Sequence, residues 1–250
     1  MLTTTYPPRQ SSIANPLPAV GSAQLFSTSL KQLDASLLME TTVVTIAAIL
    51  AMIVFGASSI FKPTWLVAPG ILVAAALVPT AIKRREFAKI GFDVKHISHS
   101  LVIVGWTCIV IFPAMLCGLW LLKYWGLELP LRAAISPARG WVCWLLYQFM
   151  YIAVAEEVFF RGYVQNNILR LTSTTGGQQH RLQQWASIVI SAAVFAVAHI
   201  TVQGEMISVL TFLPCLISGW LFIRTKSLLA PILFHGLANT CYAIMPFWLM

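Results

Sequence analysis

The chain has 250 residues, 58% of them apolar and only 10% charged, where soluble domains carry roughly a quarter charged residues. That composition excludes a water-soluble globule, which must cover itself with polar groups, and makes lipid the solvent for much of the surface. The net charge of +8 comes with no stacking or groove-reading pattern, so it excludes nucleic acid as a partner and fits a lipid bilayer.

Residues 1–38 are rich in Ser, Thr, Pro and Gln, and no apolar core of signal-peptide length follows a basic start. The stretch reads as a tail and not as a cleavable secretion signal. Its first half has a disordered composition. Leu25, Phe26, Leu30, Leu33 and Leu37 then recur at helical spacing, which fits a helix lying on the membrane surface or a passive tether.

Seven apolar segments follow, at about 41–61, 65–82, 99–122, 140–160, 185–203, 206–223 and 228–249. Each is near the length that crosses a hydrocarbon core of about 30 Å at about 1.5 Å per residue. The expected fold is all-α: a polytopic transmembrane helical bundle of about seven spans (six to eight). It divides into a cytoplasmic tail over 1–38, accessory transmembrane helices over 39–139 and a catalytic transmembrane core over 140–250. Pro69, Pro79, Pro113, Pro214 and Pro231 fall inside the segments, where neighbours must satisfy the freed carbonyls. Cys108, Cys117, Cys143, Cys215 and Cys241 form no C-x-x-C pair and read as small buried hydrophobes. No internal repeat of the transporter kind is visible.

Basic residues set the orientation. With seven crossings, one side receives the amino terminus and the loops near 83–98, 161–184 and 224–227; the other receives only Lys62, Lys123, Arg132 and Arg139. The amino terminus is therefore expected in the cytoplasm. The expected location is integral in a membrane, with a lean to a bacterial plasma membrane.

Ionisable groups inside lipid are expensive, so each one is a functional hypothesis. The densest group is Ala155-Glu156-Glu157-Val158-Phe159-Phe160-Arg161-Gly162. Glu157 and Arg161 are four apart and share a helical face, which makes them a charge-assisted pair. Glu156 is rotated about 100° away, with no local partner. A carboxyl group in low dielectric favours its neutral form, which suits a general base or acid working near neutrality. His199 ends the run Phe195-Ala196-Val197-Ala198-His199, and His235 and Asn239 lie four apart on the last segment.

Peptide hydrolysis needs a base to activate water and donors to hold the oxyanion. Glu156 with His199 supplies the first, and His235 with Asn239 the second, since both carry N–H groups. Gly236 lets a helix or a substrate backbone come close. A serine mechanism lacks a Gly-x-Ser-x-Gly elbow. No cofactor is favoured. Zinc held by Glu156, His199 and His235 is the alternative, although no His-Glu-x-x-His helix is present.

The sequence Glu156-Glu157-x-x-x-Arg161, then Phe195-x-x-x-His199, then His235-x-x-x-Asn239 resembles the three-motif pattern of the CAAX protease and bacteriocin-processing family, also called Abi. Its members include the type II CAAX prenyl endopeptidases. The resemblance spans about residues 140–245. It implies Glu156 as the water-activating glutamate assisted by His199, His235 and Asn239 as the oxyanion side, and Glu157 and Arg161 as support. It also implies a glutamate-dependent intramembrane endopeptidase acting on a membrane-associated protein or peptide substrate. A non-catalytic immunity or scaffold protein and a proton-coupled transporter are the readings from other classes. With the segment limits given above, Glu156 and His199 lie near opposite membrane faces. The constellation therefore requires longer or tilted helices.

Overall fold

The computed structural model describes residues 20–57, 67–85, 91, 97–126, 140–172 and 178–249. The described residues are helical, with turns and no strand. α1 is Val20–Ala57, α2 Val67–Ile82 and α3 Ile97–Tyr124. α4 opens at Trp141–Leu146 and closes at Asn166–Thr172. α5 is Gln178–Gln203, and a 3₁₀ turn over Met206–Thr211 leads into α6, Phe212–Thr225. α7 is Leu229–Leu249.

Among the described residues, five stretches are long and apolar enough to cross a membrane: Ala35–Phe55, Ile97–Tyr124, Trp141–Leu171, His180–Gln203 and Met206–Thr225. Val67–Ile82 and Leu229–Met245 are shorter apolar helices. The architecture is an all-α membrane bundle, and the chain is an integral membrane protein. α3 shows why lipid is required: Val102, Trp106, Ile109 and Val110 are exposed along a helix that buries little of itself. In water that row would be a large apolar patch.

Two expected limits move. The fourth segment does not stop at 160; α4 runs on through Arg161, Tyr163 and Gln165, all buried in protein. The fifth begins at Gln178 and not at 185. Hydropathy reports exposure to lipid, whereas Arg161, Tyr163 and Gln165 are covered by other helices and hydrogen-bonded there. Arg161 is accordingly no part of a cytoplasmic loop. At the start of α5, by contrast, His180 and Arg181 are exposed and extend the helix beyond the apolar run. Glu156 now sits mid-way along α4, level with the end of α5, and the mismatch with His199 disappears.

Residues 1–19, which hold the disordered-looking half of the tail, and most of the loops at 86–96 and 127–139 lie outside the described residues. α1 passes residue 38 without a break. Pro69, Pro214 and Pro231 sit in the first turns of α2, α6 and α7, where the missing N–H breaks no bond. Pro79 and Pro113 are the interior ones.

The main core joins α1, α2, α4, α5 and α6 through residues such as Met52, Ala76, Phe159, Phe160, Phe195 and Cys215. A smaller one joins α3, α6 and α7 through Val104, Leu221, Ala230 and Phe234. α1 and α2 are tied to α4 by polar groups. Arg85 donates from both terminal nitrogens to Glu40, at 2.8 and 2.9 Å, and the Tyr163 hydroxyl donates to the same carboxylate at 3.1 Å. Asn167 donates to the Thr41 hydroxyl at 3.2 Å.

α4 is not a uniform α-helix. It widens to a π-helix over Tyr147–Ala153, tightens over Val154–Glu157, and widens again over Val158–Gln165. Each widening adds a residue to the turn, re-aims the side chains around it, and is a recurrent device at functional sites. Backbone groups loosened in this way need partners in lipid. The Phe160 carbonyl finds one in the Ser191 hydroxyl, 2.8 Å away on α5.

Candidate active site

The four-residue α-helical piece Val154–Glu157, set between the two π-helical stretches, carries both glutamates. Glu157 is fully buried, and its two oxygens face different partners. Arg161 Nε lies 3.0 Å from Oε2, and His235 Nδ1 lies 2.7 Å from Oε1. The ion pair expected from the i, i+4 spacing is present, at 1% and 0% side-chain exposure. Its geometry is that of close charges rather than an aligned hydrogen bond. Arg161 also donates to the Cys215 carbonyl at 3.2 Å and lies over the Phe195 ring, 5.2 Å from its centroid. A guanidinium and a carboxylate on α4 thus neutralise one another in a buried site, with an imidazole from α7 donating to the same carboxylate, where an unpaired charge is prohibitive.

Glu156 points elsewhere. Its Oε2 is buried, has no hydrogen-bond partner among the described residues, and lies 3.6 Å from His235 Nε2 and 3.9 Å from His199 Nε2. Both ring orientations are fixed from behind. His199 stacks on Phe195, with centroids 4.1 Å apart and planes at 16°, and its Nδ1 meets the Phe195 carbonyl at 3.2 Å. A carbonyl only accepts, so Nδ1 carries the proton and Nε2 presents a lone pair towards Glu156. His235 Nδ1 likewise carries a proton, because it faces the Glu157 carboxylate. One carboxylate oxygen and two imidazole nitrogens therefore converge from α4, α5 and α7.

Asn239 is one turn beyond His235 on α7, and its Nδ2 donates to Gln148 Oε1 at 2.9 Å. Gly236, between them, lies under the Phe149 ring, and a Cβ there would overlap the ring carbons. The structure brings together Glu156, Glu157, Arg161, His199 and His235. It holds Asn239 against α4 through Gln148. Gln148 is absent from the residues picked out by sequence, although the signal was there: it is the lone amide in the apolar run Trp141–Ala155.

Among the described residues no group of three His, Cys, Asp or Glu side chains is spaced to hold a metal ion. Glu156, His199 and His235 come nearest in kind. They are the side chains that the zinc alternative would use.

Residues 138–241 match the family described as type II CAAX prenyl endopeptidase, Rce1-like. The resemblance carried by the three motifs therefore holds over this segment, which contains every residue of the cluster. No curated protein and no solved structure matches the chain.

Proposed function

We propose, from the premise that residues 138–241 match the type II CAAX prenyl endopeptidases, that this membrane protein is a glutamate-dependent intramembrane endopeptidase. The observation that carries the reading is the convergence of His199 Nε2 and His235 Nε2 on the unpartnered Glu156 Oε2. A water molecule accepted by these groups is polarised on the side of its protons. Glu156 takes one proton as the oxygen attacks the scissile carbonyl carbon, and His199 Nε2 accepts a hydrogen bond from the other. As the tetrahedral oxyanion collapses and the C–N bond breaks, Glu156 passes its proton to the leaving amine; the second water proton stays on the new carboxyl group, and Glu156 is a carboxylate again.

The oxyanion formed in the attack falls to Asn239 and His235. His235 has already committed its Nδ1–H to Glu157, so donation from Nε2 requires the doubly protonated ring. Glu157 holds the opposite nitrogen of that ring in place. The Glu157–Arg161 pair orients His235 and leaves Glu156 as the carboxylate available for chemistry.

The substrate class is a membrane-associated protein or peptide, and the matched family makes a prenylated carboxyl-terminal peptide the first one to test. The architecture proposed with this reading is a catalytic core over 140–250 and accessory helices over 39–139, with a cytoplasmic tail over 1–38. The membrane is proposed to be a bacterial plasma membrane. Cleavage of a fluorogenic farnesylated peptide by the full-length protein in lipid nanodiscs, with Glu156→Gln as the comparison, tests the proposal. Equal rates for the two proteins would remove Glu156 from the chemistry.

A further inference from the structure

Gln148 has no assigned part in the site, yet it is the only amide in the apolar run Trp141–Ala155. A lone amide at such a depth is costly unless it is satisfied. Its Oε1 accepts from Asn239 Nδ2 at 2.9 Å, across the α4–α7 contact. Two local features allow the contact. Gln148 lies in the π-helical stretch Tyr147–Ala153, which re-aims side chains towards α7. The missing Cβ of Gly236 lets the Phe149 ring, and with it the α4 backbone, come close.

The asparagine carboxamide has two N–H groups on one nitrogen. Once Gln148 holds the first, rotation about the terminal torsion is blocked and the direction of the second is set. A free asparagine would sample several rotamers, and an oxyanion donor is effective only when it is already aimed at the developing charge.

We infer that Gln148 is a positioning residue that fixes the Asn239 amide as an oxyanion donor, an inference that rests on the protease reading above. The effect belongs in kcat and not in ground-state binding, because the oxyanion exists only on the way through the transition state. It must also act through Asn239 alone.

The test is a double-mutant cycle in full-length protein in nanodiscs, with the farnesylated peptide as substrate. Gln148→Met keeps the length of the side chain and removes the acceptor; Gln148→Leu carries the same prediction if that variant does not fold. The expected result is a fall in kcat of about ten-fold or more, with KM within about two-fold. In an Asn239→Ala background the same change has no further effect, because the group being positioned is gone. Thermal unfolding of each variant is followed in parallel, since a packing role would lower stability equally in both backgrounds. Losses that multiply, or a change in KM alone, overturn the inference while Glu156→Gln remains inactive. Peptide left uncleaved by the wild type, or cleaved equally by Glu156→Gln, overturns the underlying reading instead.

Discussion

His235 gives its Nδ1–H to the buried carboxylate of Glu157 across 2.7 Å, so the ring nitrogen that looks at Glu156 is its other one. Adjacent glutamates are thereby given different work by one imidazole. Glu157 is tied up in a buried pair with Arg161, and Glu156 faces the Nε2 atoms of His199 and His235. Helical geometry separates the two directions, and the short α-helical piece between the π-helical stretches holds them apart.

The buried cluster predicts a non-additive stability effect. Glu157→Gln strands the Arg161 charge, and Arg161→Met strands that of Glu157. Each is expected to lower stability by about 3–5 kcal/mol. The double variant Glu157→Gln/Arg161→Met should recover a large part of the loss, because no unpaired charge remains. Thermal unfolding in detergent measures this, and a double variant no better than the worse single one would contradict it.

Gly236 predicts a steric effect. Its substitution by alanine pushes a methyl group into the Phe149 ring, and overpacking of this kind costs about 1–3 kcal/mol. Phe149→Leu should relieve the clash, so Gly236→Ala/Phe149→Leu is expected to be more stable than Gly236→Ala. Gly105→Ala, with open space around its Cβ, is the control and should be neutral or slightly stabilising.

How far the sequence shows the molecule depends on what each residue is covered by. Apolar segments in lipid announce themselves, and each of the seven helices among the described residues overlaps an apolar run, although α1 starts well ahead of its own, at Val20. The far end of α4 does not: Arg161, Gln165 and Asn167 look like a loop to any hydropathy reading, yet they are buried against α5, α6 and α1. Glu157–Arg161 is readable because both partners lie on one helix at a fixed spacing. Glu40–Arg85–Tyr163 joins residues far apart in the chain, and nothing in the local sequence marks it. The π-helical widenings have no compositional signature, which is why the contact of Gln148 with Asn239 escapes a count of residues per turn.

That long-range clasp makes its own prediction. Tyr163→Phe removes a hydrogen bond to the Glu40 carboxylate, together with the hydroxyl's interaction with Thr41. The expected loss is about 1–2 kcal/mol, at the lower end for a bond to a charged group because Arg85 still serves the carboxylate. Arg85→Gln should cost about 1 kcal/mol or less, since the pair is partly exposed and solvent screens it. Equal, large losses for the two would mean that the clasp acts as a unit.

Metal dependence is open to a direct check. If Glu156 itself activates water, cleavage of the farnesylated peptide should survive dialysis against a strong zinc chelator, with kcat unchanged. Loss of activity that is restored by added zinc would replace the glutamate mechanism by a metal-assisted one using Glu156, His199 and His235.

The most direct measurement is single-turnover cleavage by wild type and Glu156→Gln, each full-length, in nanodiscs and matched for thermal stability. Glutamine keeps the shape of the side chain but is no base. The account predicts that the wild type cleaves and that Glu156→Gln loses at least about 100-fold in rate, the lower range of a general base, with peptide binding retained. Cleavage by Glu156→Gln within a few-fold of the wild-type rate would contradict it.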